Sequence, residues 1–312
     1  MAQFTIYRSS DTGAPTLSGT VNSLVNLLQK CLVDGYGSKT AAGWTMPYTG
    51  TNKAVFKNGG GCQMYFRIDD NASGTGGVKE AKLNPMEVMT DVDTGTGWYS
   101  NLGTYHVIRK STSADSTARS WIILADARTA YIHIATGDSG VVYTSFAMGE
   151  FYSLVNNDNY RNFVSARTTE NSGSVSNDSL PLTSVIGSTV TGMTLARPYT
   201  GTGGVITPGK HGDSAKNDGN VNLMGTVPYP NPSDGGLYLS PIWITETSSP
   251  AGNIRGRMRG MWHFLHGSSA AVADGDVFTG TGSLGGKTFI AIKTGNSTTT
   301  YIFETSDTLE TN

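Results

Sequence analysis

A chain of 312 residues with a formal net charge of −2 has no overall field to draw in nucleic acid or an anionic membrane. Charged residues make up 15% of it, below the roughly 25% of an average soluble domain. The 40 glycines, with Thr and Ser crowding the polar positions, favour short strands and turns, and surfaces poor in charge suit burial against other proteins.

The opening Met1-Ala2-Gln3-Phe4-Thr5 has neither a basic segment nor an apolar run, so synthesis in a cytoplasm without a signal peptide is expected. No stretch approaches the roughly 20 apolar residues of a membrane span. One amphipathic helix is predicted over about 18–34. Val21, Leu24, Val25, Leu28 and Leu32 recur at helical spacing, with Ser18 or Thr20 as N-cap and Gly35 as the stop. Its apolar stripe is expected to lie on a sheet.

After the helix the period changes to two. Ala54–Lys57 and Gln63–Ile68 read as strands around the Gly59-Gly60-Gly61 turn, and Tyr105–Arg109 as another. Trp121–Leu124 and Thr129–Ile134 flank Ala125–Arg128 as a β-hairpin, followed by Val141–Phe146. Residues 1–155 are therefore expected to form an N-terminal β-rich domain. Residues 156–180, rich in Asn, Ser, Asp and Gly, read as a polar linker or long loop, and 181–312 as a C-terminal β-rich domain. Strands are expected there at Leu237–Leu239, Ile242–Thr245, Arg257–Leu265, Thr288–Lys293 and Thr299–Glu304, with another Gly-rich loop over about 200–220. The fold class is mainly β, in antiparallel sandwich or barrel-like units, with the helix packed on a sheet.

Motifs for catalysis are weak. Gly137-Asp138-Ser139-Gly140 looks like a chymotrypsin-type nucleophile loop, but His106 and His133 lack that family's context, so a hairpin turn is the better reading. His211-Gly212-Asp213-Ser214 has no Asp-x-x-His partner after it. Asp91-Val92-Asp93 lacks the third acid and closing Glu of a calcium loop, and Asp69-Asp70-Asn71 reads as a strand-end turn. No catalytic residue, cofactor or metal site is assigned.

The densest polar cluster runs from Arg255 to His266. Arg255, Arg257 and Arg259 alternate along a strand with Trp262 and His263 following, and Arg and Trp are favoured at interfaces. These five residues are the candidate protein interface. Nucleic acid is not the expected partner, because the surroundings are neutral to acidic.

Several segments together resemble a group of tailed-bacteriophage virion proteins. They are Leu24–Leu28 through Cys31–Gly37, Ala41–Thr45, Gly50–Phe56, Met89–Gly97, Asn253–His266 and Glu304–Thr308. The resemblance implies a place in a virion and supplies no catalytic residues. The expected function is that of a non-enzymatic structural component that assembles with itself as a homo-oligomer and with neck, collar, tail or capsid proteins. A receptor- or glycan-binding tail tip is the alternative, and it requires exposed aromatics such as Trp98, Tyr99 or Trp243 on one patch.

Overall fold

The computed structural model describes residues 4–74, 76–99, 102–137, 143–167, 193–204, 228–246, 253–266, 272–293 and 300–306. In chain order, β1 (Thr5–Arg8) precedes α1 (Ser23–Gln29), which continues into a π-helical turn, Lys30–Asp34. β2 (Thr45–Gly50), β3 (Lys53–Lys57), β4 (Tyr65–Asp69), β5 (Glu80–Met86), β6 (Val88–Asp91), β7 (Thr94–Thr96) and β8 (His106–Arg109) follow. Next come β9 (Trp121–Ala125), β10 (Thr129–Ala135), β11 (Tyr143–Glu150), β12 (Tyr152–Ser153), β13 (Asn162–Ser165) and β14 (Met193–Leu195). The last strands are β15 (Leu239–Glu246), β16 (Asn253–Phe264), β17 (Val277–Thr279), β18 (Thr288–Lys293) and β19 (Thr300–Glu304).

The fold is mainly β with antiparallel sheets and one short helix near the N-terminus, as expected. Three sheets lie in layers. The central one has the order β1-β9-β10-β11-β13-β14, a second runs β2-β3-β4-β5-β8, and the third holds β12, β15, β16, β19, β18 and β17. A small β6–β7 hairpin forms its own two-stranded sheet and packs Met89 against Val55 and Met86 of the second sheet.

The central strands show why the layers stack. Along β10, Ala130, Ile132 and Ile134 enter the core shared with the second sheet and the helix, while Tyr131 enters the core shared with the third. On β9, Trp121, Ile123 and Ala125 face one way and Ile122 and Leu124 the other. Apolar residues on both faces of a period-2 strand require cover on both sides. The second sheet supplies Phe56, Phe66, Ile68 and Leu83 to one core, and the third supplies Ile242, Met258, Ile290, Tyr301 and Phe303 to the other. Each such side chain contributes about 1.5–3 kcal/mol when fully buried. Tyr131 centres the second core, 4.8 Å from the Phe303 ring and 5.7 Å from Phe4.

The helix rests on this stack through Leu24, Leu27, Leu28 and Leu32, all fully buried. Its start differs from the expected cap. Asn22 sits there in the left-handed region at φ 64 with no side-chain cap bond, and Asp70 accepts from the Leu24 N–H at 2.9 Å instead. The orphan donor is satisfied from the neighbouring sheet, a partner that local spacing does not reveal. Gly35, at φ 80, ends the helical segment as predicted.

The stretch read as a polar linker contains a strand. β13 lies within it and pairs with β11 and β14, with Phe163 and Val164 buried on opposite faces of the central sheet. A four-residue strand of Asn, Phe, Val and Ser carries too little periodicity to stand out from polar flanks. The strand expected at Ile242–Thr245 lies within β15, whereas of the strand expected at Leu237–Leu239 only Leu239 belongs to it. Among the described residues β15 pairs with β16 alone, an edge position at which Pro241 is tolerated.

Candidate functional site

The candidate interface strand divides its residues between inside and outside. Arg255 is fully buried, with Nε and Nη2 donating to Asp158 at 2.9 and 2.8 Å and Nη1 to Glu246 at 2.7 Å. Its fork also reaches the carbonyls of Tyr160 and Arg197, and it lies over the Phe151 ring. Arg259 grips Asp126 through both terminal nitrogens, at 3.2 and 2.7 Å, and lies over Phe4. His263 is buried against Tyr301 of β19. These three are therefore committed inside the chain, which corrects the expectation that they face a partner.

The correction has a geometric cause. Pairing between β15 and β16 slips twice, between Pro241 and Trp243 and between Ile244 and Thr245, and Gly260 adopts φ 58. Bulges of this kind break the simple alternation and re-aim side chains. Arg255 and Arg259 turn inward, while Arg257 and Trp262 stay partly exposed. A Cβ on Gly260 would lie 2.5 Å from the Phe4 ring, so glycine is needed there on two counts.

On the outer face of the third sheet, Arg257 sits in register between Tyr152 of β12 and Trp243 of β15. Its guanidinium lies 5.1 Å from the Tyr152 ring and 5.9 Å from Trp262. Beside this row, Leu154 and Ile254 are 54% and 53% exposed, large values for apolar residues in neighbouring positions. The result is a patch of two tryptophans, a tyrosine, an arginine and two aliphatics on a rigid sheet.

Rigidity comes from ion pairs between layers. Arg259–Asp126 ties the third sheet to the central one, and Arg167–Glu80, at 2.8 Å, ties the central sheet to the second. Arg197–Glu87, at 2.7 Å, joins the segment after β14 to the turn before β6. Burial alone would raise the Asp158 carboxyl, but the Arg255 hydrogen bonds outweigh it and hold the group below the usual carboxylate range. Lys110 and Asp70 form a fully buried pair beneath the helix. There burial dominates and pushes Asp70 up to about 6, although Lys110 pulls the other way.

The histidines weighed as catalytic bases are structural. His106 is fully buried, donating from Nδ1 to the Ala166 carbonyl at 3.0 Å and leaving Nε2 to accept from Tyr99 at 2.7 Å. Burial pushes it down to about 4. His133 Nδ1 lies 2.7 Å from Ser145 Oγ and Nε2 lies 3.4 Å from Asp274. These are the residue types of a hydrolytic triad, yet Ser145 is fully buried, so no carbonyl can reach its hydroxyl. Asp138, Ser139 and Gly140, and the segment at His211, lie outside the described residues.

Trp98 and Tyr99 are 4% and 7% exposed, inside the core beside His106, and belong to no surface patch. Asp93 is held by Lys53 and Arg67, and Asp69 by Arg67, so these carboxylates are already neutralised. A concavity of about 230 Å³, open to solvent, lies at the start of β15. No helix among the described residues is long and apolar enough to cross a membrane. In comparisons with known proteins, no family model matches this chain and no curated protein matches it either.

Proposed function

We propose that this chain is a non-enzymatic structural component of a tailed-phage virion. It assembles with itself and with neighbouring neck, collar, tail or capsid proteins. The observation that carries this reading is the Tyr152–Arg257–Trp243 row with exposed Leu154 and Ile254 on the outer face of the third sheet. Trp, Tyr and Arg dominate the binding energy of protein interfaces, and fixed side chains lose little entropy on association. The resemblance of the Leu24–Gly37 and Asn253–His266 segments to phage virion proteins supports the setting.

The test is the mass of the purified chain by light scattering, with negative-stain images of the same fractions. A closed oligomer in the native chain and dissociation in Trp243→Ala and Arg257→Ala are expected. A chain that stays monomeric at every concentration, alone and mixed with the other virion proteins, overturns the reading.

A further inference from the structure

The concavity at the start of β15 offers a ligand site beside the proposed assembly row, sharing only Trp262 with the outer-face patch. Its walls are Leu237, Leu239, Leu284, Trp262 and Tyr238, with Asp234 at the rim. Tyr238 is 42% exposed, and Trp262 packs from below against the small core of Phe264, Phe289 and Ile302. The rim is firmly built. Asp234 Oδ1 accepts from the Asn231 side chain at 2.7 Å and from the Gly236 N–H at 2.8 Å, and Oδ2 accepts from the Tyr238 hydroxyl. The Tyr238 N–H in turn donates to His266 Nε2 at 2.8 Å, while His266 Nδ1 lies 2.9 Å from the Pro228 carbonyl. Ring and carboxylate are thus fixed relative to one another.

This pairing of surfaces narrows the ligand. Aromatic and leucine walls ask for an apolar face, and π-faces attract the slightly positive C–H edges of a ring. Asp234 is acceptor-only when ionised, so the same molecule must present hydroxyl donors. A purely apolar chain would strip water from the carboxylate without replacing its hydrogen bonds. An anion would meet like charge. A neutral pyranose has C–H groups on one face and hydroxyls around its rim, which matches aromatic and leucine walls with an acceptor at the edge.

We infer that this groove binds a neutral pyranose sugar, stacked on Tyr238 and Trp262 and hydrogen-bonded to Asp234. The inference goes beyond the assembly reading and uses none of Tyr152, Trp243 or Arg257. It is tested by saturation-transfer NMR on the full chain with galactose, glucose, mannose and N-acetylglucosamine, and with glucuronic acid as the charged control. At least one neutral sugar is expected to bind at about millimolar Kd, with glucuronic acid about tenfold weaker or worse. Tyr238→Ala and Asp234→Ala should each weaken that binding about tenfold, Tyr238→Phe should keep most of it, and Trp243→Ala should leave it unchanged. Circular dichroism of each variant separates loss of the site from loss of the fold. Absence of binding by all four neutral sugars, or binding that folded Tyr238→Ala and Asp234→Ala leave intact, overturns the inference. The oligomer mass is unaffected by either result, so the assembly reading stands or falls separately.

Discussion

Replacing Arg255 by Met would remove a guanidinium held by two carboxylates and two backbone carbonyls in a site closed to water. The Asp158 and Glu246 side chains are 1% and 0% exposed, so both charges would be left buried without a cation. Breaking a buried pair from one side typically costs about 3–5 kcal/mol, and here two partners are orphaned together, so about 5 kcal/mol is expected. That is a large share of the roughly 5–15 kcal/mol that holds a typical domain folded. Arg255→Lys keeps the charge but not the fork, and should fall between, at about 2–3 kcal/mol, because one ammonium cannot serve four acceptors. Urea unfolding followed by tryptophan fluorescence measures each loss. The decisive comparison is the triple variant Arg255→Met, Asp158→Asn, Glu246→Gln, in which no net charge is buried and part of the loss returns. Refutation would come from Arg255→Met lying within about 1 kcal/mol of the native chain. A triple variant as unstable as the single one would likewise show that shape, and not charge, is what Arg255 supplies.

Acid should act first through His106. Its folded value of about 4 lies below the ordinary 6.5, so between these values the unfolded chain binds a proton that the folded chain refuses. The contribution of His106 is therefore complete above pH 6.5 and falls as pH drops toward 4, by about 3 kcal/mol. Asp70, raised to about 6, works in the opposite direction over the same range and is common to both chains compared. Urea midpoints across that range should drop more steeply in the native chain than in His106→Gln, and parallel curves would contradict the assignment. Gly260→Ala places a methyl against the Phe4 ring at φ 58, where an L side chain is strained. A loss of about 1–3 kcal/mol, read from the same unfolding curves, is expected. Asp126→Asn weakens the clamp on Arg259 between the central and third sheets, and hydrogen exchange should speed up in β16 before it does in β4.

The strands most legible in the sequence are those with strong alternation and a turn signal beside them. β3 and β4 around their glycine turn, β9 and β10, β18 and β19 all appear close to their predicted bounds. β5 is not legible in the sequence, because Glu80, Asn84 and Pro85 interrupt its apolar pattern. Glu80 and Asn84 are nevertheless buried, since Arg167 and Arg67 reach them from elsewhere in the chain. The candidate interface shows the same gap. The arginine strand could be recognised as unusual from spacing alone, but the carboxylates that claim Arg255 lie 97 residues before it and 9 residues before it. Isolated acids such as Asp126, Asp158 and Glu246 carry no local mark of burial. The one signal that could have pointed to them is the low charge content, because few charges on so large a chain leave each one more conspicuous. Tyr238 reads from spacing only as part of a strand, and its pairing with Asp234 depends on a loop fold that periodicity does not describe.

The internal ion pairs have a consequence for how the molecule behaves in solution. The cations of Arg67, Lys110, Arg255 and Arg259 all lie on side chains no more than 5% exposed, each beside its own carboxylate. Charge placed there contributes almost nothing to the field outside, so the exterior is electrically quieter than the sequence total suggests. Association of such surfaces responds little to ionic strength, because there is little long-range attraction or repulsion for salt to screen. Contact between molecules is then governed by fit and by water released from apolar and aromatic patches. Those forces act only within a few ångströms, so partners must be brought together by diffusion and selected by shape.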